Sequence, residues 1–136
     1  MTIRTAALSL LNGGFSVRGS TILHAGKPAA RIEQTAGPTL VEWHSDVARA
    51  IVMEAASRVD PVIMGGKPLE IDADLLLEEV LFVAKLRKAA ERNTLIRLPG
   101  DGAYSYHVVL HPLTPAVRAA ILGKHPTVQF VNDEIV

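Results

Sequence analysis

The stretch LLLEEVLFVAKLRKAA, Leu75 to Ala90, most limits what this chain can fold into. It reads as the body of a helix from about Ala73 to Arg92, with Asp72 or Asp74 as its cap. With successive residues 100° apart, Leu75, Leu76, Leu77, Val80, Leu81, Phe82 and Val83 point nearly all round the axis. Glu79 falls among Leu75, Leu86 and Val83 rather than on a polar face. A helix on the surface of a globular domain shows one apolar stripe, so this one needs cover on at least two sides. Leaving three such side chains in water would forfeit roughly 5–9 kcal/mol, comparable with the stability of a whole domain. The cover comes either from a central position in the fold or from a second subunit. The second route makes Leu76, Leu81 and Phe82 candidate interface residues, joined by Trp43, the only tryptophan.

The chain has 136 residues, 49% of them hydrophobic and 21% charged, which suits one globular domain over 1–136 with a real core. It contains no cysteine, so disulfides and thiolate metal sites are excluded and a reducing, cytoplasmic setting is expected. The opening MTIRTAALSLLNGGFSVRG does not read as an export signal, and no apolar run approaches the length of a membrane span. Arginine outnumbers lysine and alanine is abundant, a bias that suggests a GC-rich bacterial or viral genome.

Net charge is zero, so no global field draws the chain to nucleic acid. Before Glu33, however, every charged side chain is positive, and Arg4, Arg18, Lys27 and Arg31 form a candidate weak anion-binding surface. From Glu70 to Glu79 every one is negative. That cluster surrounds a helix start whose later turns carry Lys85, Arg87, Lys88 and Arg92, an order that complements the helix dipole.

Around the central helix the remaining elements fall into place. Thr5–Leu11 reads as two helical turns closed by Asn12-Gly13, or as an opening strand. Phe15–Arg18 and Thr21–Leu23 read as strand, one strand if Gly19-Ser20 is a bulge. Ala29–Gln34 returns antiparallel past a tip at Ala25-Gly26-Lys27; the loop Thr35–Pro38 and a strand Thr39–Trp43 follow. Ser45 caps a helix from Asp46 to about Val59, in which Val47, Ala50, Ile51, Glu54, Ala55 and Arg58 keep helical spacing. Val62–Met64 and Leu69–Ile71 flank Gly65-Gly66 as a hairpin whose Pro68 belongs at an edge. Leu95–Leu98 and Tyr104–His111 form another, joined by Pro99-Gly100-Asp101-Gly102. Thr114 and Pro115 open a short helix ending at Gly123, and Val128–Val131 closes the chain as a strand. The sum is an α+β fold: a mainly antiparallel sheet with two main helices and one short helix packed on it.

Gly-Lys-Pro occurs in HAGKPAARI and in MGGKPLEID, with LGKHP as a looser echo. None leads a Lys-Ser or Lys-Thr into a helix, as a phosphate-cradling loop would, so the motif reads as turn punctuation. The only catalytic suggestion comes from histidines. In YSYHVVLHP, His107 and His111 share one strand face, with imidazoles roughly 13 Å apart, too far to bind the same metal ion directly. Asp101, in the turn, is placed to orient His107 across the hairpin. No Gly-x-Ser-x-Gly elbow, dinucleotide fingerprint, zinc helix or calcium loop is present, so no cofactor is implied. The leading expectation is therefore a non-enzymatic protein-interaction module, self-associating or part of an assembly. The alternatives are a small-molecule hydrolase or isomerase using His107 with Asp101 or His111, and weak anion or nucleic-acid binding.

Overall fold

A computed structural model describes residues 1–34, 37 and 39–136 of the chain. Of the expected Thr35–Pro38 loop, Thr35, Ala36 and Pro38 lie outside the described residues. Among the described residues, five helices and three antiparallel sheets give the expected α+β class, with the strands distributed over sheets of four, two and three strands. The chain divides into two compact units, Met1–Ala84 and Lys85–Val136.

The first unit opens with α1, Ile3–Asn12, so the helical reading of this segment holds. Thr2 caps it by accepting from the Thr5 amide, which starts it two residues earlier than the sequence suggested. Strands β1 (Phe15–Arg18), β2 (Thr21–His24), β3 (Lys27–Glu33) and β4 (Leu40–Trp43) form a meander in that order. Gly19-Ser20 is not a bulge in one strand but the turn between two, because Arg18 pairs with Thr21. Gly19 takes a φ of 59°, which favours reversal of the chain over its continuation. The irregularity in this sheet sits instead opposite Ile22 and Leu23, between β2 and β3.

Helix α2, Asp46–Ser57, has the expected cap: Ser45 Oγ accepts from the Ala48 amide at 3.1 Å. Glu54 and Arg58 pair at 2.7 Å one turn apart. The face it buries carries Ala48, Val52 and Ala56, while Val47, Ile51 and Met53 remain exposed. Strands β5 (Val62–Met64) and β6 (Lys67–Leu69) form a separate hairpin. Its second arm starts at Lys67 rather than Leu69, since the two-glycine turn pairs Met64 directly with Lys67.

Helix α3, Ala73–Ala90, is the long apolar helix, and the division between the units falls inside it. Asp72 is its cap, accepting from the Leu75 amide at 2.8 Å. From Leu81 round through Leu76 to Leu86, buried side chains span roughly 220° of its circumference at 100° per residue. Asp74 and Lys85 are exposed on the remaining strip, where Leu75 and Phe82 are half-buried.

In the second unit, β7 (Thr94–Arg97) lies between β8 (His107–Val109) and β9 (Gln129–Phe130). β8 is shorter than the Tyr104–His111 arm expected, because pairing begins at Ile96–His107 and leaves 98–106 as a wide turn. α4, Pro115–Lys124, is capped by Thr114 with Pro115 in its first turn, and it buries none of its side chains. It runs one residue past the expected end at Gly123. After two residues of β9 the chain turns into α5, Val131–Glu134, instead of continuing as a strand. Asn132 explains the change. Its side-chain oxygen accepts from the Leu95 amide at 2.7 Å and its nitrogen donates to the Asn93 carbonyl at 3.0 Å. The side-chain amide thus stands in for the peptide group a longer β9 would have supplied.

Candidate functional site

Among the sequence-predicted catalytic residues, Asp101 and His107 come together. His107 Nε2 lies 3.1 Å from Asp101 Oδ2. The same carboxylate oxygen accepts from the Leu98 amide at 2.8 Å, which fixes Asp101 in its turn. With Nε2 facing the carboxylate, Nδ1 is the nitrogen left for proton transfer. The imidazole is half in water, in keeping with its place on an edge strand. His111 does not join them through its side chain. It contributes its backbone, donating its amide to the Val109 carbonyl and accepting from Thr94 Oγ1 at 2.8 Å.

The turn that carries Asp101 is held from below by Arg97, whose side chain is only 13% exposed. Its Nη1 donates to both carboxylate oxygens of Glu134 at 3.1 Å, and its Nη2 donates to the Ala103 carbonyl. Its Nε is buried with no hydrogen-bond partner. Arg97 and Glu134 therefore tie the wide turn to α5, a role no spacing rule announces because the two are distant in sequence. Beside them, Arg118 donates to Asp133 through two bonds of 2.9 Å and lies 4.5 Å from the centre of the Phe130 ring. Those hydrogen bonds hold the Asp133 carboxyl below the usual carboxylate range, against a smaller opposing effect of burial. They raise the Arg118 guanidinium in turn.

Two shallow clefts indent the second unit. One, of about 490 Å³, is lined by Arg87, Pro112, Leu113, Asn132 and the C-terminal Ile135–Val136. The other, of about 430 Å³, follows the start of α4 past Thr114 and Arg118. Neither includes Asp101 or His107. Among the described residues no group of three or more histidine, aspartate and glutamate side chains is gathered as a metal site would need.

The candidate interface residues occupy different environments. Leu76 and Leu81 expose 0% and 1% of their surface and are covered by the chain itself. Phe82 is half-buried, with the Arg4 guanidinium 5.4 Å from its ring centre. Trp43 is also half-buried, and its indole N–H donates to Asp74 at 3.0 Å. The apolar side chains that do face water lie elsewhere. Val62, Ile63, Met64 and Leu69 are all exposed, as is every residue of the β5 and β6 strands. In the second unit Tyr104, Tyr106, Val108 and Leu110 are exposed, Leu110 by 79%. The sequence showed both sets as apolar runs, but only the fold distinguishes a wet run from a buried one.

Of the basic residues, Arg4 donates its Nε to Glu79 at 2.9 Å, and the Glu79 side chain is 1% exposed. Arg18 and Arg31 flank Thr21 across the sheet, with Glu42 opposite Arg31 and Glu33 at 4.0 Å from it. Lys27 is on the row of Phe15 and His24, at the other end of the strands. Among the described residues no helix is long and apolar enough to cross a membrane. No family model matches the chain, and neither a curated protein nor a solved structure resembles it closely enough to count as a match.

Proposed function

We propose that the chain is a small non-enzymatic protein-interaction module, working as a homo-oligomer or as one subunit of a larger assembly in a reducing cytoplasm. The observation that carries this reading is the apolar surface left in water on β5–β6 and along Tyr104–Leu110. A lone two-stranded hairpin is marginal in water, and contiguous exposed apolar residues characteristically mark contact surfaces. The chain satisfies the apolar faces of α3 internally, so the surface offered to a partner is this second set. Light scattering at micromolar concentration tests the homo-oligomer form, with a mass above one chain expected. A strict monomer that also fails to bind a dye reporting apolar surface would defeat both forms.

The contact between His107 and Asp101 favours one other reading, a small-molecule hydrolase or isomerase using this pair with His111 nearby in sequence. An oriented imidazole with one free nitrogen is what general-base catalysis requires. Under this reading His107→Ala abolishes turnover in a panel of ester and phosphoester substrates while the thermal melt is unchanged. Equal turnover in variant and parent would eliminate it.

A further inference from the structure

We infer that the β5–β6 hairpin receives a cationic, apolar-faced segment of a different protein; this rests on the interaction reading above and selects its assembly form. Every residue from 61 to 70 is exposed. Register places Val62, Met64 and Leu69 on one face of the hairpin and Ile63 on the other, so apolar side chains meet water on both faces. The β2–β3 hairpin turns on the same Gly-Lys-Pro, with Lys27 and Pro28 in the places of Lys67 and Pro68. That hairpin is flanked by β1 and β4, and its Ile22 and Ala30 are buried. The β5–β6 hairpin has no strand on either side, so its cover comes from another chain.

Charge decides what that chain is. Lys67 is the only cation between Arg58 and Lys85, against six carboxylates. Three of these, Glu70, Asp72 and Asp74, follow β6 closely and are exposed. Asp72 and Asp74 accept from neutral donors, the Leu75 amide and the Trp43 indole, so their charge is not cancelled. Among the described residues none of the three has a cation within ion-pair distance. The N-terminus of α3 offsets roughly half a charge, which leaves most of the negative field beside the hairpin. An apolar surface with an acidic border repels nucleic acid and an anionic membrane. It also opposes a second hairpin brought up by a two-fold axis, which would set carboxylates against carboxylates. A polypeptide segment with apolar side chains on one side and lysine or arginine next to them matches both the centre and the rim.

Three labelled peptides of equal length test this: alternating leucine and lysine, leucine and glutamate, serine and lysine. By fluorescence anisotropy with the whole chain, the leucine–lysine peptide should bind at least about tenfold more tightly than either of the others. Ile63→Ser should weaken that binding about tenfold. Glu70→Lys should weaken it about fivefold and flatten its salt dependence. Both positions are exposed, and circular dichroism checks that each variant keeps the parent fold. Equal binding of the lysine and glutamate peptides with leucine, or binding that neither substitution changes, overturns the proposal. Self-association that Ile63→Ser abolishes, measured by light scattering, also overturns it, since the occupant is then a second copy; the interaction reading survives that result. Absence of any peptide binding overturns the proposal too. If the chain is then also a monomer that binds no apolar-surface dye, the interaction reading falls with it.

Discussion

Glu79 shows how one residue can carry the logic of a helix. Its side chain is 1% exposed, on the most apolar segment of the chain, and Arg4 reaches it from α1. Removing one member of a buried ion pair takes its compensating charge away from the other. Arg4→Ala is therefore expected to cost about 3 kcal/mol, the low end of the usual range, because Arg4 itself is 20% exposed and water can partly replace it. Arg4→Met with Glu79→Leu should recover most of that loss; urea melts of the three variants measure both effects. The Arg118–Asp133 pair predicts a pH effect. Asp133 titrates lower in the folded chain than in the unfolded one, so its contribution is present above the unfolded carboxylate range and is lost as pH falls through the folded value. Arg118 is raised, and its contribution is lost only on the far alkaline side. As pH falls through and below the ordinary carboxylate range, the urea midpoint of the parent should thus fall more steeply than that of Asp133→Asn. Parallel slopes would show that the pair does not stabilise the fold.

Elements in this protein are completed by side chains as much as by backbone. β9 lasts two residues, and the ladder next to Leu95 is continued by Asn132. Asn132→Ala would leave the amide of buried Leu95 and the carbonyl of Asn93 without these partners, at an expected cost of about 2–4 kcal/mol. Asn132→Asp keeps the acceptor for Leu95 and loses the donor, so it should fall between. Hydrogen exchange at the Leu95 amide reads the difference directly. The hairpin β5–β6 makes the opposite case. Ile63 is 68% exposed, so Ile63→Ser should change monomer stability by less than about 0.5 kcal/mol while lowering dye binding to apolar surface. A large stability loss would mean that Ile63 is covered in the free chain.

At the scale of the whole molecule, the question is what covers α3. Leu76 and Leu81 are buried within a single chain, so Leu81→Ala should cost about 2–5 kcal/mol at every protein concentration. If a second subunit covered Leu81 instead, the loss would vary with concentration, which denaturant melts over a hundredfold dilution would reveal. The chain thus buries Leu76 and Leu81 of the long helix by itself and leaves apolar side chains in water on β5–β6, along Tyr104–Leu110 and on α2.

Much of this was fixed by local chemistry and could be read from residues alone. Ser45, Asp72 and Thr114 cap helices because their oxygens reach an otherwise unpaired amide a few residues on. The glycines at 26 and 66 take positive φ in turns, and Asp101 meets His107 because one hairpin carries both. Other features needed the third dimension. Periodicity shows that Val47 and Ile51 share a face of α2, but not that the neighbouring face of Ala48 and Val52 is the buried one. Nor does it show that Arg97 meets Glu134, that β9 gives way to Asn132, or that the chain's own residues cover Leu76. Spacing specifies which groups can act together within a few residues, since bond geometry fixes their distance. Which of two apolar faces becomes interior depends on contacts between residues far apart in the chain, and only folding brings those into being.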